Sequence, residues 1–173
     1  MRKFFFTSIA ILFSIFVSAQ TDPEKKLKEL NITLPTPGKP MANYVKYVQT
    51  GKLIYLAGHG PQKADGTYIY GKVGKELSVE QGYEAAKVTG IAMLATLRSA
   101  VNGDLKKVKR IVKVLGMVNC AEGFTAQPKV MNGFSDLMVA VFGEKGKHAR
   151  SAVGMYMLPD NIAVEIEMIV EIE

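Results

Sequence analysis

Residues 162–173 read Ile162-Ala163-Val164-Glu165-Ile166-Glu167-Met168-Ile169-Val170-Glu171-Ile172-Glu173. Strand side chains alternate between two faces, so this order puts Ile162, Val164, Ile166, Met168, Val170 and Ile172 on one side. That side is wholly apolar and suited to a covering layer of helices. The other side carries Glu165, Glu167, Glu171 and Glu173. Those carboxylates read either as a solvated sheet face or as the lining of a polar cavity or subunit interface. The preceding stretch, Arg150-Ser151-Ala152-Val153-Gly154-Met155-Tyr156-Met157, is a second strand, joined to the last through a tight turn at Leu158-Pro159-Asp160-Asn161.

Upstream, Ser78 and Gln81 have capping-box spacing. Behind them Ala86, Gly90, Met93, Leu94, Leu97 and Val101 recur at helical intervals, and Asn102-Gly103 supplies the stop. Residues 126–142 fit a second helix with Val130, Phe134, Leu137, Met138 and Val141 on one face. Between these helices Val108 to Val118 is rich in β-branched residues. Before them Tyr44–Val48, Leu53–Ala57 and Tyr68–Tyr70 read as a three-stranded meander broken by Gly58-His59-Gly60-Pro61 and Ala64-Asp65-Gly66-Thr67. The order βββ-α-β-α-ββ predicts an α+β fold, a mixed sheet with two helices packed on one face.

The chain of 173 residues suits one domain. Arg2 and Lys3 followed by the apolar run Phe4–Ala19, ending in Val17-Ser18-Ala19, predict a cleaved signal peptide over 1–19 and an exported protein, periplasmic or secreted. The run is short for a membrane span, so no stable anchor is expected after cleavage. Residues 20–41 read as a polar, proline-containing arm with a short charged helix at Pro23–Leu30, and 42–173 as the domain. The formal charge of +6 falls by two when Arg2 and Lys3 are removed. No nucleic-acid partner is expected, because Lys106, Lys107, Lys109, Arg110 and Lys113 lack interleaved aromatics and read better as a solvated edge. The single Cys120 precludes an internal disulfide, and with only His59 and His148 beside it no metal site is expected.

Arg150 heads a strand face of small residues. Its planar guanidinium suits a carboxylate ligand held by two parallel hydrogen bonds, with an ion pair to Glu165, Glu167 or Glu171 as the alternative. His148-Ala149-Arg150-Ser151, Leu158-Pro159 and Val164-Glu165-Ile166-Glu167, with Leu56-Ala57-Gly58, Asn132-Gly133-Phe134 and Tyr44 upstream, resemble the reactive intermediate deaminase (Rid, YjgF or L-PSP) family over about residues 37–173. The resemblance implies a chorismate-mutase-like fold, a homotrimer with sites between subunits, and no cofactor. It also implies hydrolysis of enamines and imines, such as 2-aminoacrylate, to 2-oxo acids and ammonia. By motif, Arg150 corresponds to the substrate-carboxylate arginine and Glu165 to the water- and proton-handling glutamate. Tyr44, Gly58, His59 and Asn132 correspond to cleft positions. Ala152 departs from the family cysteine, His59 from a glutamine and His148 from a proline, and the 61–77 segment is long. A non-catalytic binder of small carboxylates is therefore a second expectation, and an endoribonuclease a third.

Overall fold

The computed structural model describes residues 21–38, 40 and 42–173. The expected signal peptide at 1–19 lies outside these residues. Eight principal elements follow one another: α1 (Pro23–Glu29), β1 (Tyr47–Thr50), β2 (Leu53–His59), α2 (Val79–Ala100), β3 (Val108–Asn119), α3 (Gln127–Phe142), β4 (Ala149–Met155) and β5 (Val164–Ile172). The strands form one sheet in the order β1-β2-β5-β3-β4. All neighbours are antiparallel except β3 and β4, which run parallel because α3 carries the chain back between them.

The alternation in β5 does what its pattern requires. Val164, Ile166, Met168 and Val170 are buried against the helices, while Glu167 is exposed on the other side. Ile54 and Leu56 from β2 join them, as do Ile111, Val114 and Val118 from β3. The covering layer supplies Ala86, Met93, Leu94 and Leu97 from α2, and Val130, Phe134, Leu137 and Met138 from α3. Each large side chain fully removed from water contributes roughly 1.5–3 kcal/mol, so this interface holds the fold together. The capping box at the start of α2 is present: Gln81 N donates to Ser78 Oγ at 3.2 Å, and Ser78 N donates to Gln81 Oε1 at 2.8 Å. Gly133 sets the spacing of the two long helices. A Cβ there would run into the Tyr83 backbone, 2.8 Å from its carbonyl carbon, so only glycine permits this close crossing.

Three expectations need correction. Tyr68–Tyr70 is not a third strand: it makes only single bridges, Gln62 with Tyr68 and Tyr70 with Ile162, within a glycine-interrupted loop. The last two strands follow one another across the Leu158–Asn161 turn but do not pair, because β3 lies between them. The short helix expected at Pro23–Leu30 is present as α1, but it packs with the two long helices instead of standing off in an arm. Leu27 and Leu34, from the segment read as an arm, are buried in the same core cluster as α2 and α3.

Candidate functional site

Strand register decides which residues can meet. Glu165 stands opposite Met117 on β3, on the face away from the helices. Arg150 stands beside buried Val114 and points to the helix side, where its head reaches α3. Nη1 donates to Asn132 Oδ1 at 3.1 Å and to Ser135 Oγ at 2.9 Å, and Nη2 donates to the Pro128 carbonyl at 3.3 Å. Asn132 and Ser135, three apart, share a helix face. No carboxylate lies within ion-pair distance of Arg150 among the described residues. The alternative ion pair to a β5 glutamate is thereby ruled out within the chain, since β3 separates the two strands. These bonds leave the Nε–H and one Nη2–H uncommitted, a fork for an incoming carboxylate.

On the opposite face, Gly58 and Glu165 are in direct contact. A Cβ on Gly58 would collide with the Glu165 carboxyl, 2.9 Å from Cδ, so the missing side chain is where that carboxyl rests. Burial, and secondarily the charge of Glu167, hold Glu165 above the usual carboxylate range. Tyr44 is exposed in the segment before β1. The Ala57 N–H donates to the Lys46 carbonyl at 3.0 Å, so this segment runs on alongside the end of β2. Beside it Tyr68 has its phenol pushed up by burial first, then by Tyr70 and Tyr44.

His59 does not join either group. The pairing of β2 with β5 shifts between Leu56 and His59, where β2 carries one extra residue. That bulge turns His59 inward to face α2. Its Nδ1 donates to the Ala57 carbonyl at 2.6 Å, and its Nε2 accepts from the Thr96 hydroxyl at 2.9 Å. With only 6% of its surface exposed, burial pulls its pKa down to about 4. It is a buried histidine with both ring nitrogens engaged within the chain.

The structure thus brings Arg150 together with Asn132, and Gly58 with Glu165, on opposite faces of one sheet, with Tyr44 on the segment that borders the end of β2. Ser135 is the site residue the sequence reading missed. Its spacing from Asn132 on a predicted helix was the available signal. The basic cluster before and within β3 is largely paired: Lys106 lies 3.0 Å from Asp22, Lys109 2.7 Å from Glu171, and Lys113 donates to Ser151 at 2.8 Å. Among the described residues no three His, Cys, Asp or Glu side chains come close enough to hold a metal ion. Half-buried Cys120 has Gln127 Nε2 at 3.8 Å from its sulfur.

Residues 24–172 match the family described as "YjgF/chorismate mutase-like, putative endoribonuclease". The chain belongs to the YjgF/Rid family. The protein TCP17 of Trypanosoma cruzi is 41% identical over 147 residues, covering 84% of this chain and 91% of that one. Among solved structures, Atu1372 of Agrobacterium tumefaciens is 42% identical with a TM-score of 0.82, covering 87% of this chain and 92% of its own. A "putative endoribonuclease" of Shewanella oneidensis is 28% identical with a TM-score of 0.83, covering 87% of this chain and 99% of its own. The mixed five-stranded sheet with its helices on one side is the YjgF-type α+β fold.

Proposed function

We propose that this YjgF/Rid protein hydrolyses small 2-imino acids and their enamine tautomers to 2-oxo acids and ammonia, at sites shared between copies of the chain. The observation that carries the reading is Arg150. It is held by three neutral oxygens, with no carboxylate beside it among the described residues, and has a fork of donors left over. An uncompensated, positioned guanidinium is an anchor for a carboxylate substrate.

The chemistry needs one further group. A water molecule adds to the imine carbon and one of its protons reaches the nitrogen; the proton of the new hydroxyl follows as the C–N bond breaks, leaving the 2-oxo acid and ammonia. A carboxylate that takes each proton from oxygen and passes it to nitrogen does both jobs and is unchanged at the end. Glu165 is the carboxyl this reading assigns to that task, and burial raises its pKa above the ordinary value. Because Arg150 and Glu165 point to opposite faces, one chain cannot present both to one substrate. A second copy must bring its Gly58–Glu165 face to the first copy's β4 edge. The open face is suited to such contact: Val48, Tyr55, Leu115 and Ile169 line a cavity of about 320 Å³ with Lys113 and Glu167. A closed ring of three copies is the assembly this reading takes.

Ala152, in place of the family cysteine, favours a second reading in which carboxylates are bound but not turned over. An endoribonuclease has less to work with, since His59 is buried against Thr96 and both nitrogens of His148 are hydrogen-bonded within the chain. The test is ammonia release from freshly generated 2-iminopropanoate. The first reading expects acceleration over buffer that is lost in Arg150→Lys; binding without acceleration supports the second.

A further inference from the structure

A row of hydrogen bonds on the helix side of β4 has no part in the hydrolysis outlined above. His148 Nδ1 lies 2.7 Å from the Gly146 carbonyl, and Nε2 lies 3.1 Å from Ser135 Oγ. A carbonyl only accepts, so the imidazole proton sits on Nδ1. In the neutral ring Nε2 then accepts the Ser135 O–H, which leaves the oxygen's lone pairs for Arg150 Nη1 at 2.9 Å. One serine oxygen therefore links the imidazole to the guanidinium.

We propose that His148 is a positioning residue for the Arg150 anion site, acting through Ser135, and that carboxylate uptake at Arg150 is coupled to protonation of His148. The inference rests on the reading of Arg150 as a carboxylate anchor. Protonated His148 donates from both nitrogens, so Ser135 Oγ would have to receive hydrogen bonds from two cations at once. That arrangement is unfavourable while Arg150 is unneutralised. A carboxylate seated on Arg150 cancels its charge and removes the penalty. By reciprocity, protonation of His148 strengthens carboxylate binding to the same degree.

The surroundings leave Arg150 as the charge linked to His148 through a shared partner. From α3 the Phe134 ring packs edge-on, centroid to centroid at 5.9 Å. Lys147, next in the chain, pairs with Glu144 at 2.6 Å. Arg110 of β3 and Glu171 of β5 line a cavity of about 610 Å³ with His148, and Glu171 is taken up by Lys109 at 2.7 Å. Burial first, and then the Arg150 charge, hold the imidazole below its usual pKa.

The test is calorimetric titration of 2-oxobutanoate into the oligomeric protein from about pH 8 to about pH 5, across the range where histidine changes charge. Wild-type protein is expected to bind about fivefold tighter at the acid end, with net proton uptake. His148→Gln, whose amide oxygen still accepts from Ser135, is expected to stay near the high-pH affinity throughout. Ser135→Ala is expected to lose both affinity and slope, whereas His59→Gln, which lies outside the site, retains the slope. In the ligand-free protein, the His148 imidazole followed by NMR should titrate at higher pH in Arg150→Gln. Binding with an unchanged slope in His148→Gln, or an imidazole unmoved by Arg150→Gln, overturns the coupling alone. Failure of the wild-type protein to bind any 2-oxo acid overturns the anchor reading and the coupling together.

Discussion

The Glu165 carboxyl occupies the space a side chain on Gly58 would need, so the glycine at the end of β2 and the glutamate near the start of β5 are one structural unit. The backbone at Gly58 does not adopt a positive φ, so the requirement is room rather than backbone freedom. Gly58→Ala is therefore expected to displace the flexible end of Glu165 with little loss of fold, costing at most about 1–3 kcal/mol of overpacking. Ammonia release should drop at least about tenfold, the size of a misplaced proton-transfer group. A melting curve with steady-state rates checks both halves.

Glu165 itself predicts a stability change with a definite sign. Its folded pKa is raised, so the folded state holds this proton more tightly than the unfolded chain and gains stability as pH falls through the carboxylate range. Above that range the charged, half-buried carboxylate is a burden. Glu165→Gln should raise the melting temperature at pH 7, and the gain should shrink as pH is lowered toward 4, while turnover is lost. Thermal melts at the two pH values, alongside turnover assays, decide it.

His59 works in the opposite sense. Buried and neutral with a pKa near 4, it favours folding above the ordinary imidazole value of 6.5, and that contribution is lost as pH falls from 6.5 to about 4. The full effect is on the order of 3 kcal/mol. Replacing His59 with Gln should flatten the pH dependence of the melting temperature across that window and lower stability at pH 7. Affinity for 2-oxobutanoate at pH 7 should hold, because the ring faces Thr96 rather than either half of the site.

The contrast between Glu165 and His59 shows what sequence reading reaches. The alternation in β5 is a period-two pattern over nine residues, and it assigned Glu165 to the open face without a structure. The facing of His59 is not legible in the same way, because one extra residue after Leu56 reverses the facing of everything that follows, and a bulge leaves no mark in composition. The helices were legible from capping and spacing. The strand order was not, because a tight turn between Met157 and Ile162 looks like a hairpin. Only the return of α3, which lays β4 parallel to β3, shows otherwise. That same reversal put Arg150 beside Asn132 and Ser135 instead of beside the β5 glutamates.

Arg150→Lys separates geometry from charge. Lysine keeps the positive charge but cannot reach Asn132, Ser135 and Pro128 while also offering a planar fork. With charged hydrogen bonds contributing roughly 1.5–3 kcal/mol, affinity for 2-oxo acids should fall about tenfold to a hundredfold. Stability should change by no more than about 1 kcal/mol, since the site is near the surface. Isothermal titration and a thermal melt on the same preparation check the pair of outcomes.

The measurement closest to the central claim is complementation between inactive variants. Arg150→Ala and Glu165→Gln each destroy one half of a site, but on opposite faces of the sheet. When the two are dissociated, mixed in equal amounts and reassembled, random closed rings return about one quarter of the sites with both groups intact. The mixture should then release ammonia from 2-iminopropanoate at about a quarter of the wild-type rate, while neither variant alone does so. A mixture no more active than its separate components, in mixed oligomers verified by mass, would contradict a site shared between copies.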